Sequence, residues 1–492
     1  MRASPDFTPG RGKGATMAEI ETDYLVVGAG ASGMAFVDAL VSESDADVVL
    51  VDRRHRPGGH WLDAYPFVRL HQPSAYYGVT SRRLGDDRID TAGPNAGFYE
   101  RASADEICDY YARVLDADLV GSGRVRFLAM SDYRGEDDDG HHVVSLLTGR
   151  ETTIRVRRKL VDATYVASEI PSRHSPPFVV DPDVRLVPPH HLVDLGDVPS
   201  GFTVIGAGKT AMDTCNWLLE TGVDPGSIQW IRPRDPWLFN RKFMQPLELV
   251  ASYMQLQARF LEAAAQADDG GDFARRMAAE DVFVRIDPEV EPSVFRGATI
   301  SAQEIEALRS IERVVRNGKI LGISSAHITF PDGEIGADPR HLYVDCTAAG
   351  VRPTTPRPVF EPGRITIQYV TIGIVPWSGA TIGATEASKE DDDAKNLLCP
   401  SFTFTGEVAD ILELSRAGIG GLIARTMDPE VASWNATCRL NPARSAPEHV
   451  DDPVVAEALA SIGANLGAAM ENLTRRVGGP RTPTPAGRIP SG

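Results

Sequence analysis

Five cysteines in 492 residues, at positions 108, 215, 346, 399 and 438, include no C-x-x-C pair. That spacing excludes a redox dithiol and a zinc ribbon, so no metal is expected. It fits separate buried thiols in a reducing cytoplasm. Positive charge is also scarce. Fifty Lys and Arg stand against 68 Asp and Glu, for a net charge of −18. This argues against nucleic acid and anionic membrane as partners. No uninterrupted apolar run reaches 18 residues, so no membrane span is expected. The first 19 residues carry Arg2, Arg11 and Lys13 among prolines and glycines, without an apolar core. They read as a disordered extension and not as a signal peptide.

Against that background one stretch stands out, Asp23 to Gly33. Tyr24-Leu25-Val26-Val27 suits a strand buried on both faces, and it runs into Gly28-Ala29-Gly30-Ala31-Ser32-Gly33 and a helical segment from Met34 to Val41. Strand, glycine turn and helix form the context in which G-x-G-x-x-G carries meaning. Gly28 permits the turn, Gly30 lets backbone approach a diphosphate, and Gly33 lets the helix lie close to the strand. Ser32 belongs to the same turn. The diphosphate then meets free N–H groups at the helix N-terminus. The next strand, Val48 to Val51, ends in Asp52, placed to accept from ribose hydroxyls. Arg53 and a Pro-Gly-Gly loop follow, with Gly58-Gly59-His60-Trp61, then the aromatic segment Tyr65 to Tyr77.

A second signature lies about 180 residues on. Phe202 to Ile205 leads into Gly206-Ala207-Gly208-Lys209-Thr210-Ala211 and a helix to about Leu219. Alanine replaces the third glycine, which dinucleotide folds allow. A P-loop would need glycine where Thr203 stands. The strand Ile228 to Ile231 ends not in an acid but in Arg232, with Arg234 two residues on. Arginine suits a 2′-phosphate where an acid would hold a 2′-hydroxyl, so the second nucleotide is expected to be NADPH in preference to NADH. Two such folds in one chain suggest a held nucleotide and a visiting one, and the economical pair is FAD with NADPH.

The fold class expected is therefore α/β, with two Rossmann-like domains of three-layer ββα type. Residues 20–195 and 341–425 would form an FAD-binding domain interrupted at 196–340 by an NADPH-binding domain. Residues 240–316 read as a mostly helical insert, with Leu247 to Ala265 and Ala302 to Val315 as its clearer helices. The stretches Arg124 to Met130, His141 to Leu147 and Thr152 to Leu160 read as a meander, and Leu160 to Thr164 as a strand returning to the parent sheet. Arg364 to Ile374 reads as strand and 375–400 as loops. Residues 426–492 read as a peripheral extension in which an amphipathic helix, Val454 to Leu473, could pair two subunits, followed by a loose tail from Pro480.

The first turn with Asp52, the Gly58-Gly59-His60-Trp61 loop and the second turn resemble the class B flavoprotein monooxygenases, the flavin-containing and Baeyer–Villiger enzymes, over roughly residues 20 to 425. The resemblance implies tightly bound FAD, NADPH as reductant, and oxygenation of a small organic substrate by O2 through a 4a-(hydro)peroxyflavin. By the same resemblance Gly28, Gly30, Ser32, Gly33, Asp52, Arg53, Gly59, His60 and Trp61 would bind FAD. Gly206, Gly208, Lys209, Thr210, Ala211, Arg232 and Arg234 would bind NADPH. The segment Tyr65-Pro66-Phe67-Val68-Arg69-Leu70-His71 stands where Baeyer–Villiger members carry Y-P-G-x-R-x-D, so His71 replaces the aspartate, and Arg69 and His71 are the candidate catalytic residues. Two alternatives remain: an FAD-dependent dehydrogenase or reductase without oxygen insertion, and a flavin-bound scaffold or sensor that does not turn over.

Overall fold

The computed structural model describes residues 18–166, 168–350, 354–373, 375–402 and 405–477. Strand β1 (Ala18–Val27) enters the core at Tyr24, Leu25 and Val26, none of which is exposed. Helix α1 (Ala31–Glu43) is buried from Ala31 to Val41. Beside β1 lies β2 (Val48–Val51), then β3 (Val125–Leu128), all parallel. On the other side lie β6 (Glu151–Asp162), the short strand Arg364–Thr366 and the edge strand Phe360–Glu361. Residues 360–366 thus rejoin the first sheet after an excursion of about 200 residues. Val27 is level with Val51 and with Asp162, and Val51 with Leu128, so these parallel strands end along one edge. Gly28 and Asp52 both open from that edge, where ligands of such sheets bind.

The meander differs from expectation. Arg124 to Met130 contributes β3 to the parallel sheet, and an extra strand, β4 (Ser131–Asp137), pairs with β5 (Gly140–Ser145). The acidic run Glu136 to Asp139 is therefore half strand and half hairpin tip. Thr152 to Asp162 is one strand, pairing with β5 at its start and with β1 along its length.

A second parallel sheet orders Arg313–Val315, Ile228–Ile231, Phe202–Ile205, Leu342–Asp345 and Leu186–Val187. The expected helix Ala302 to Val315 stops at Arg309, and its last residues form the edge strand. The insert is only partly helical. Helices Val250–Gln266 and Gly270–Ala279 pack with a three-stranded sheet of Phe283–Val284, Pro236–Asn240 and Val294–Ile300. Residues 375–400 are not loops but the helices Val375–Ser388 and Asp392–Leu398. The first of these is buried continuously from Pro376 to Glu386, so it has no polar face to give a helical period. Gly379 and Gly383 let it touch α1: a methyl at Gly379 would strike the Ser32 carbonyl, and one at Gly383 would lie 2.5 Å from the Phe36 carbonyl. Arg364 to Ile374 is strand only to Thr366, and Ile374 lies outside the described residues.

Residues 18 and 19 belong to β1 and not to the extension. The remainder of the extension and the tail from Pro480 lie outside the described residues. The C-terminal helix is Pro453–Val477. Its Asn472 amide donates to the Ala264 and Ala267 carbonyls, closing the end of helix Val250–Gln266. By length and composition alone it is apolar enough to cross a membrane, although Glu457 and Asn465 interrupt its apolar run. Val454, Val455, Leu459, Ile462 and Leu466, with six alanines, supply that apolarity.

Candidate dinucleotide crevices and their junction

The first glycine turn is held by its own geometry. Gly28 has φ +107°, a left-handed value that glycine tolerates without strain. A methyl on Gly33 would collide with the Gly28 carbonyl, so the close helix–strand approach does require glycine there. The Gly58-Gly59 loop closes over the turn. Gly58 N–H donates to the Ala29 carbonyl at 2.9 Å, and a Cβ on Gly59 would lie 2.9 Å from the Gly30 Cα. Asp52 is buried and accepts from Ala29 N–H at 2.7 Å and Arg54 N–H at 2.8 Å. It therefore ties the turn to the strand end, with carboxylate lone pairs left for further donors. Arg53 points away, largely exposed, beside Asp132 at 3.6 Å. The neighbouring Arg54 turns inward to Asp63 at 2.6 Å.

The second turn repeats this plan. Gly206 has φ +140°, and a Cβ there would meet the Cys346 carbonyl at 2.5 Å. Nothing lies within 4 Å of a Cβ built on Gly208, which caps the helix Lys209–Glu220. Ala211 is fully buried in the domain core, so the extra methyl is absorbed. Both helices start on glycine, with no side-chain cap and no acid in the first turn. Their leading N–H groups thus have no side-chain acceptor, which fits a diphosphate at each.

The two expected phosphate arginines part company. Arg232 is 2% exposed, paired with Asp235 at 2.9 Å and lying over the Trp230 ring at 4.6 Å. This corrects its expected placement, because its charge is already taken up inside the domain. Arg234 is partly exposed and paired with Glu407 at 2.8 Å. Lys209 is ion-paired with Asp213 one turn along its own helix.

Between the turns runs the segment after Trp61. The Trp61 indole donates to the Tyr77 hydroxyl at 2.7 Å. Burial, with Arg54 adding repulsion, lowers the His60 pKa to about 4. Tyr65 donates to Asp213 at 2.8 Å, and Phe67 stacks on Trp217 at 4.6 Å between centroids. The loop that follows the first turn thus packs along the helix that opens from the second.

Arg69 and His71 point to different surroundings. Arg69 is exposed in a cleft of about 490 Å³ that Arg101 also lines, and it donates to the Arg101 carbonyl at 3.1 Å. His71 lies on the inner side. Burial first, then Lys209, Arg101 and Arg241, keep its pKa well below the usual imidazole value. It is neutral at pH 7 and can accept or donate one hydrogen bond. Arg241, fully buried, donates to Glu304 at 2.6 Å and to the His71 carbonyl at 3.4 Å. Burial opposes ionisation of Glu304, but Lys209, Arg241 and Arg101 outweigh it and take its pKa to about 2.

The sequence echo of Asp162-Ala163-Thr164 in Asp345-Cys346-Thr347, two strand ends with small residues that allow a close approach, has a structural counterpart. Thr164 N–H and hydroxyl both bind Asp162, at 2.9 and 2.7 Å; Thr347 treats Asp345 identically, at 2.9 and 2.6 Å. Each Asp-x-Thr turn backs a glycine turn: Thr164 lies against Gly28 and Cys346 against Gly206. The threonine bonds to the aspartates are not part of that expectation. Glu304 and Arg241 left no signal in the sequence, being brought together only by folding.

Two sheets, each with a parallel core and a glycine turn at the C-terminal edge of that core, define a protein with two Rossmann-like dinucleotide folds. Residues 26–77 match the NAD(P)-binding Rossmann-like domain. An uncharacterized protein of Mycobacterium tuberculosis is 43% identical over 423 residues, covering 86% of this chain and 78% of the relative. The chain belongs to the family of that mycobacterial protein. Among solved structures, it is similar to a polycyclic ketone monooxygenase from the thermophilic fungus Thermothelomyces thermophila. That likeness has 12% identity and a TM-score of 0.49, over 95% of this chain and 89% of that one. A steroid monooxygenase bound to NADP gives 15% identity and a TM-score of 0.48, over 93% and 97%.

Proposed function

We propose that this chain is an FAD-dependent, NADPH-using oxidoreductase of the class B flavoprotein type, acting as a monooxygenase on a small organic substrate with O2. Residues 20–195 and 341–425 form its FAD domain and 196–340 its NADPH domain, in a cytoplasmic enzyme. The observation that carries the reading is the contact of Tyr65 and Phe67 with Asp213 and Trp217. Two uncapped glycine turns share one wall, so two nucleotides bound at them would meet across it. Flavin, when bound, accepts hydride from nicotinamide and passes electrons to oxygen. The chain's own part is to hold and orient. Gly28, Gly30 and Gly33 admit one diphosphate, with Asp52 bracing the turn and Trp61 fixed against Tyr77. Gly206 and Gly208 admit the other. His71, neutral and partly buried, can offer one N–H or one lone pair near the junction without adding charge.

Support for the monooxygenase step comes from the Gly58-Gly59-His60-Trp61 loop, which plain Rossmann dehydrogenases lack. A yellow purified protein that is bleached by NADPH without air would support the oxidoreductase reading; colourless protein that takes up no FAD would sink it. Growth of product mass by one oxygen from 18O2 separates monooxygenase from simple reductase.

A further inference from the structure

The interior around His71 holds more positive than negative charge. Lys209, Arg101 and Arg241 face only two carboxylates, Asp213 and Glu304. Arg69 sits at its margin with two carboxylates, Glu220 and Glu106. Glu304 accepts from Arg241 Nη2 at 2.6 Å and the Ser301 N–H at 2.8 Å, and is ion-paired with Arg101 Nη2 at 3.5 Å. Even so, two guanidinium nitrogens are buried without any acceptor, Nη1 of Arg241 and Nε of Arg101. Arg241 is 0% exposed and Arg101 8%. A buried donor without an acceptor costs about 1–3 kcal/mol, and more when charged. Donors are thus left over beside Glu304, and of the two arginines it is Arg101 that lines the 490 Å³ cleft with Arg69, while Arg241 is enclosed.

We propose that Arg101 and Arg241 receive a carboxylate of the organic substrate, entering through the cleft that Arg69 and Arg101 line. This rests on the oxidoreductase reading and narrows it to anionic substrates. Paired, planar guanidinium donors match a carboxylate better than they match a neutral carbonyl. Such a ligand would accept from the donors left over and bring the substrate's anionic end beside the His71 backbone, which Arg241 and Thr299 already hold.

The test is calorimetric titration of the FAD-loaded protein with benzoate and with benzamide at constant ionic strength. Benzoate is expected to saturate one site and benzamide to bind at least tenfold more weakly. Arg101→Gln and Arg241→Gln should each weaken benzoate tenfold or more, while Arg82→Gln, at the rim and paired with Asp118, should leave it unchanged. Should the arginine variants fail to fold, Glu304→Gln decides. It keeps a residue suited to the helix N-terminus and frees both guanidinium groups, so benzoate should bind several-fold tighter and raise the melting temperature more than in the parent. Equal affinity for benzamide, no affinity for either ligand, or weaker benzoate binding by Glu304→Gln overturns the receptor. Competitive displacement of benzoate by NADP+ also overturns it, by assigning the charge to the cofactor's diphosphate. Benzoate binding with no NADPH-dependent bleaching would remove the oxidoreductase reading and leave the receptor. Bleaching and turnover of neutral compounds with no benzoate binding would do the reverse.

Discussion

The Tyr65 hydroxyl donates to the Asp213 carboxylate at 2.8 Å, joining residues 148 positions apart. Asp213 is also the partner of Lys209, at the mouth of the second glycine turn. One hydrogen bond therefore couples the loop beyond Trp61 to the lysine of the neighbouring crevice.

Tyr65→Phe should loosen that coupling and leave both glycine turns intact. A hydrogen bond to a charged group contributes about 1.5–3 kcal/mol. The expected result is a several-fold higher KM for NADPH with FAD content unchanged. Equal KM values by steady-state oxidation at 340 nm would show that the bond does not position the second nucleotide.

The arginines after Ile231 should separate cleanly. Arg234→Ala is expected to raise the KM for NADPH about tenfold and to leave that for NADH unchanged, as loss of a 2′-phosphate contact requires. Arg232→Ala should act on folding instead, because it strips a buried partner from Asp235, although Arg316 remains at 3.1 Å. A loss of about 2 kcal/mol in urea unfolding is expected, below the cost of breaking an isolated buried pair. A cofactor switch in Arg232→Ala, with stability intact, would reverse these assignments.

Gly383→Ala tests the helix pair beneath the first turn. Its methyl would lie 2.5 Å from the Phe36 carbonyl and 3.3 Å from Ala39, among backbone that cannot move aside alone. Overpacking of this kind costs about 1–3 kcal/mol. Thermal unfolding should shift down accordingly, and an unshifted midpoint would mean that α1 and Val375–Ser388 slide freely.

His60 should leave a mark on acid stability. Its folded pKa is lowered to about 4, below the ordinary value of 6.5. Between those values the unfolded chain binds the proton that the folded chain refuses. Stability from this group is thus whole above pH 6.5 and is lost as pH falls toward 4. Replacing His60 with Gln should flatten that part of the urea-unfolding profile. A wild-type slope retained by the variant would place the titration elsewhere.

Much of the site was legible because it is local. Gly28 to Gly33 with Asp52, and Gly206 to Ala211, are short stretches whose strand, turn and helix are contiguous in sequence, and each folds as read. Legibility failed where burial erased periodicity. Val375–Ser388 is enclosed on all sides, so its pattern lacked a polar face, and only Gly379-x-x-x-Gly383 hinted at a helix in close contact. It failed again at Arg232, since pairing with Asp235 is a matter of which way a side chain turns.

The primary structure alone determined two nucleotide-type turns and the parallel sheets behind them, because each turn needs only its neighbours' φ angles and missing side chains. It could not determine that Tyr65 reaches Asp213, or that Arg101 and Arg241 share Glu304 beside His71. Those meetings join residues 63 to 203 positions apart. They are decided by how the two sheets pack, where burial strengthens every charge left without a partner.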